Sequence, residues 1–150
     1  MKPTPKDWPR ISSSLTYQDA NAAIDWLCKA FGFTVRLKVQ GEDNRVEHSE
    51  LEYGDGLIMV GDEAAQAAKR SSVHKSPKSI GGTNTQVLCV FVDDANAHCE
   101  AARAAGAKIT IEPSTSDYGE EYWSDRSYQA EDLEGHLWWF MQRLRTGKGA

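Results

Sequence analysis

The chain has 150 residues and a formal charge of −5, so it is the size of one domain or of two small halves. The acidic balance disfavours nucleic acid, whose phosphates demand a basic face, and no apolar run approaches the ~18 residues of a membrane span. Three cysteines, Cys28, Cys89 and Cys99, form no CxxC pattern, which argues against a disulfide framework or a zinc site.

Residues 1–10 hold three prolines and mixed charge but no apolar stretch. No secretory signal is expected there, and the protein is expected to stay in the cytoplasm. Residues 11–17 alternate as a strand. Asp19 then offers a carboxylate as N-cap, and Ala23, Leu27, Ala30 and Phe31 share one face of a helix that Gly32 ends. Three strands are expected next, over 34–40, 45–53 and 57–61, the last two joined by Tyr53-Gly54-Asp55-Gly56. Residues 62–85 are rich in Ala, Ser, Lys and Gly. They read as a linker with a short helix over 63–70, either plainly solvated or a lid.

The same pattern then returns. Asp19-Ala20-Asn21-Ala22 recurs as Asp94-Ala95-Asn96-Ala97, again after a strand (87–92) and again opening a helix, which runs to Ala105 with Gly106 as its stop. Strands over 108–112, 126–131 and 136–143 follow, the last two joined by Asp132-Leu133-Glu134-Gly135. Residues 146–150 are expected to fray. Each half is thus β-α-β-β-β, and tandem similar units indicate a repeat architecture. A four-stranded sheet with one helix buries one face only. The predicted fold is α+β: two tandem βαβββ modules forming a curved sheet around a concave cavity, helices outside. Module 1 spans about 9–62, the linker about 63–84 and module 2 about 85–143.

The duplication carries further motifs: Ala30-Phe31-Gly32-Phe33, Gly54-Asp55-Gly56-Leu57-Ile58-Met59, and residues 128–140 with Gly135-His136-Leu137-Trp138-Trp139-Phe140. In this order they resemble the glyoxalase / bleomycin-resistance / dioxygenase (vicinal oxygen chelate) superfamily, from about residue 9 to 143. The resemblance implies either metal-dependent chemistry or metal-free sequestration of antibiotics, and fold alone does not choose. In metal-using members each module supplies one ligand from its first strand and one from its last, usually His or Glu. Those positions fall near Ser12 and Met59, and near Val87 and Trp139. Their neighbours Ser13, Ile58, Gln86 and Trp138 are no better donors, so no inherited metal site is expected, and no other cofactor is implied.

His48, Glu50 and Glu52 share one face of a strand but diverge along it, which suits a polar face better than a metal site. His48, Glu50 and Tyr128 stand as weak candidates for acid–base catalysis. His136 is expected to make a structural hydrogen bond, and His74 and His98 to lie on a loop and a helix surface. No nucleophile elbow or phosphate loop is present. What remains is an aromatic ligand site: Ser12, Met59, Phe91, Trp123, Arg126, Tyr128 and Trp139. Alternation sets Leu137, Trp139 and Met141 on one face of the last strand and Trp138 and Phe140 on the other, and the resemblance implies that the first set faces the cavity while the second packs under the helices. The expected function is metal-independent binding and sequestration of a hydrophobic or cationic, antibiotic-like small molecule. The alternative is an enzyme of the superfamily (a lyase, isomerase or dioxygenase-like protein) acting on a small metabolite. The resemblance also implies a homodimer, with module pairing within a chain or swapped between chains left open.

Overall fold

The computed structural model describes residues 1–69 and 73–148. Two carboxylates start its two long helices. Asp19 Oδ1 accepts from the Ala22 amide at 3.0 Å, opening α1 (Ala20–Phe31). Asp94 Oδ1 accepts from the Asn96 and Ala97 amides at 2.9 Å, opening α3 (Ala95–Ala104). Such caps satisfy amides that the first helical turn leaves free. At the end of α1, Gly32 adopts φ 81°, the left-handed conformation that only glycine adopts without strain.

The chain divides into two units, residues 1–83 and 84–150. In the first, β1 (Ser13–Tyr17), β2 (Thr34–Gln40), β3 (Val46–Tyr53) and β4 (Gly56–Asp62) form a sheet of order β1-β4-β3-β2. β1 and β4 run parallel and the other pairs antiparallel. In the second, β5 (Leu88–Phe91), β6 (Lys108–Asp117), β7 (Ser124–Glu131) and β8 (Leu137–Arg145) form a sheet of order β5-β8-β7-β6 with the same parallel and antiparallel pattern. The sequence repeat is therefore a structural repeat, an α+β pair of βαβββ modules.

Each sheet buries the face under its helix. In unit 1 this face presents Leu15, Tyr17, Leu51 and Val60 toward Ala23, Ile24, Leu27 and Phe31 of α1, all buried. In unit 2 it presents Tyr128, Ala130, Trp138 and Phe140 under Ala95, Cys99 and Ala102 of α3. Full burial of side chains this large stabilises by roughly 1.5–3 kcal/mol each.

Several expectations are corrected. β1 begins at Ser13, and Ile11 is exposed outside it. β6 runs on to Asp117 through two register irregularities, because its distal half pairs with the early part of β7. Within the 63–84 linker the expected short helix is present as α2 (Glu63–Lys69), a 3-10 turn over Pro77–Ile80 follows it, and Ser76 and Pro77 are buried. Arg70, the expected last residue of that helix, lies outside the described residues. Glu63 holds the segment to itself, accepting from Lys75 at 2.8 Å, from the Ser76 amide at 2.9 Å and from Ser79 at 2.7 Å. Of the tail expected to fray, residues 149 and 150 lie outside the described residues, and 147 and 148 make contacts. Gly147 is buried where a Cβ would collide with the backbone of Tyr122, and the Lys148 amide donates to the Glu120 carbonyl. His98 is not a surface residue: its Nδ1 lies 2.7 Å from the Tyr128 hydroxyl and its ring packs 4.4 Å from that of Phe140.

Candidate functional site

Each sheet has a helix-free face, and these faces carry the candidate chemistry. In unit 2, side chains in register lie on the same side of the sheet. Cys89 pairs with Trp139 and Trp139 with Gln129. One step along, Phe91 pairs with Met141 and Met141 with Ser127. Trp138 and Phe140 alternate to the other side and are fully buried, whereas Leu137, Trp139 and Met141 are half-buried. The predicted division of β8 into two faces is thus observed.

Phe91 and Trp123 are the prominent apolar residues of this region, 55% and 39% exposed. The Arg143 guanidinium lies over both rings, 5.3 Å from the Phe91 ring centre and 5.4 Å from that of Trp123. Its Nε donates to Asp125, the residue directly opposite on β7, which is buried. Tyr118 and Tyr122 flank Trp123 at 5.6 and 6.2 Å.

Two predicted site residues do not join this face. Tyr128 is fully buried, stacked on Phe140 at 5.1 Å and bonded to His98. It is a core residue under α3 and no candidate for acid–base work. Arg126, two residues earlier, projects to the same side, where its Nε donates to Asn96 of α3 at 2.8 Å and its other nitrogens to Thr115 and the Pro113 carbonyl. It braces α3 against the β6–β7 pair.

In unit 1 the helix-free face is polar. Glu50 is buried there, in register with Met59 on one side and Leu37 on the other. Its Oε1 lies 3.0 Å from His48 Nε2 and its Oε2 3.3 Å from Arg36 Nε. Arg36 also reaches Glu52 at 3.4 Å, donates to the Asp7 carbonyl and lies over the Trp8 ring at 5.7 Å. A carboxylate taken out of water is stable only when paired this way. Glu50 in turn orients the imidazole of His48, whose side chain is 40% exposed. Ser12 stands just before β1, half-buried, and its hydroxyl oxygen is buried with no hydrogen-bond partner among the described residues.

Sequence reasoning missed Arg143, Asp125, Arg36 and Trp8. Opposite charges on β7 and β8 were a visible signal, but their pairing depends on register. Neither Cys28 nor Cys99 is a primed nucleophile. Burial, then Asp25, raises the Cys28 pKa, and Cys99 is raised chiefly by burial.

The metal-ligand positions of the resembling family can be tested directly. The parallel register sets Ser14 opposite Met59 and Cys89 opposite Trp139, with Ser12 and Val87 two residues earlier. Hydroxyl, thioether, thiol and indole do not make a site for a hard divalent ion, which wants imidazole and carboxylate. The neighbouring Glu50 is already engaged by Arg36 and His48. Among the described residues no three His, Cys, Asp or Glu gather as metal ligands.

No helix among the described residues is long and apolar enough to cross a membrane. An uncharacterized protein of Mycobacterium bovis is 31% identical over 137 residues, 91% of this chain and 85% of its own length. The crystal structure of TioX from Micromonospora sp. ML1 is similar at TM-score 0.68 and 31% identity, covering 91% of this chain and all of TioX. TnmS3 from Streptomyces sp. CB03234, described as an antibiotic binding protein, shares the fold at TM-score 0.61 and 16% identity, over 88% of this chain and 93% of its own. The model of the Glyoxalase/Bleomycin resistance protein/Dioxygenase superfamily matches residues 11–140, and the chain belongs to that superfamily.

Proposed function

We propose that this protein binds and sequesters a hydrophobic or cationic small molecule without a metal. One observation carries the reading: where metal-using relatives would place a ligand on the last strand of the second module, this chain has Trp139, on a face that continues to Phe91 and Trp123. Stacking and cation–π contacts on such rings contribute about 0.5–2 kcal/mol each, and sequestration requires affinity alone. In the first module, Ser12 and Met59 are proposed as ligand contacts of that module's own helix-free face. The antibiotic binding described for TnmS3, which shares this fold, supports the same class of ligand. We place the protein in the cytoplasm as a two-fold homodimer, in keeping with its free cysteines and with the commonest symmetry of oligomers.

The test is tryptophan fluorescence of chelator-treated protein titrated with cationic aromatic dyes such as acridine and quinolinium salts, beside thermal unfolding with Ni²⁺, Zn²⁺, Mn²⁺ and Fe²⁺. Saturable quenching that Trp139→Ala removes, with no metal shifting the melting point, is the expected result. A saturable metal-induced shift would overturn the metal-free part. The His48–Glu50 contact at 3.0 Å favours a second reading, an acid–base lyase or isomerase. That reading requires a bound ligand to be consumed, and Glu50→Gln to stop its consumption while leaving its binding intact.

A further inference from the structure

Arg143 is recognised by its own protein as a ligand would be. Its guanidinium carbon lies over two rings, Phe91 at 5.3 Å and Trp123 at 5.4 Å. Asp125 accepts from Nε and, at 3.5 Å, from Nη2. Two π faces together with a carboxylate that accepts from two guanidinium nitrogens favour a flat, delocalised cation over a compact ammonium. With its charge paired to Asp125 and two rings against it, Arg143 is poorly placed to hold an anion. It is nevertheless free to leave. Arg143 and both rings are exposed, while Asp125 is buried.

From this we infer that the Phe91–Trp123–Asp125 clamp is a binding subsite for a guanidinium or amidinium group, and that Arg143 is an internal stand-in that an incoming ligand displaces. The inference rests on the small-molecule reading above and names the ligand's chemistry within it. Arg143 is tethered directly opposite Asp125, so it competes as an intramolecular ligand. A small guanidinium alone competes poorly. A ligand that also covers Met141 and Trp139, the next residues along the same face, can prevail. The clamp thus doubles as a specificity filter.

Removing the stand-in exposes the clamp. The first test is thermal unfolding of Arg143→Ala and wild-type protein with methylguanidinium, with methylammonium and urea as controls. The expected result is a saturable rise of the variant's melting point, on the order of 5 °C at about a hundredfold excess over Kd, at concentrations that leave wild type unmoved. The rise should vanish in Arg143→Ala/Asp125→Asn. Equal rises with methylammonium, or none with methylguanidinium, would overturn the inference. Wild-type protein supplies a second measurement that needs no variant: benzamidinium should quench tryptophan fluorescence with at least tenfold lower Kd than benzylammonium, and equal affinities would refute the subsite. Failure here while dye binding persists and remains Trp139-dependent defeats the clamp alone. Loss of both defeats the small-molecule reading.

Discussion

Replacing Asp132 should unfold the second module from its last hairpin. Asp132 is buried in the turn between β7 and β8, and both its oxygens are used. Oδ1 accepts from the Glu134 and His136 amides at 3.0 Å each, and Oδ2 accepts from the indole Nε1 of Trp138 at 3.0 Å. Trp138 is fully buried, so its N–H has no easy recourse to water. Hydrogen bonds to a charged acceptor contribute about 1.5–3 kcal/mol, and a buried donor left without its acceptor costs about 1–3 kcal/mol. The two turn amides can recover part of their loss from solvent. Asp132→Ala should therefore destabilise by about 3–5 kcal/mol, a fall in melting temperature on the order of 10 °C. Asp132→Asn keeps one acceptor for the amides but turns an NH₂ toward the indole, and should cost about 2 kcal/mol. Urea unfolding read by tryptophan fluorescence measures both. Trp138→Phe removes the indole donor, so the Asn substitution should cost at least 1 kcal/mol less in that background. Additive losses, or an Asn variant within 0.5 kcal/mol of wild type, would show that the Asp132–Trp138 bond is not what holds the turn.

The adjacent tryptophans should behave oppositely. Trp138→Ala should cost about 3–5 kcal/mol, whereas Trp139→Ala should leave the urea midpoint nearly unchanged and abolish dye binding. Glu63 predicts a pH effect confined to the 63–84 segment. Burial alone would raise its pKa, but hydrogen bonds from Lys75, Ser76 and Ser79 and the Lys75 charge outweigh burial and hold it below the ordinary 4.5. Its contribution is complete above that value and disappears as pH falls through the lowered one. Hydrogen-exchange protection of the Ser76 amide should fall in that acidic window and be weak at every pH in Glu63→Gln. Glu50→Ala, which strips Arg36 and His48 of their shared carboxylate, should destabilise by about 2 kcal/mol in thermal melts.

What could be read from the sequence followed how local its cause was. The Asp19 and Asp94 caps, the Gly32 stop and the two glycine hairpins each depend on a few adjacent residues, and the structure holds them where the repeat put them. The faces of β8 were equally legible, because a strand alternates with period two. The same rule would have corrected the site. Tyr128 stands in register with Phe140, which the family resemblance puts on the helix side, and Arg126 lies one period away on the same strand. Grouping them with Trp123 relied on nearness along the chain instead of strand parity. The end of β6 was not legible, since Pro113 and two register irregularities interrupt the alternation that marks a strand.

The cross-strand pairs were hidden for a different reason. Arg143 meets Asp125 only because a tight hairpin at 132–135 sets the register of β7 against β8, and a one-residue slip would send the two charges to opposite faces. Arg36 reaches Glu50 and Glu52 at an irregularity in β2, between Val35 and Leu37, and meets Trp8 from a segment outside the repeat. In these groups the two modules differ. One helix-free face is built around a carboxylate held by Arg36 and His48, the other around an arginine held by a carboxylate and two rings. A duplicated frame requires the same core in both halves, and that core is where the repeat is legible. The helix-free faces are under no such constraint, so they are where two copies of one module can diverge.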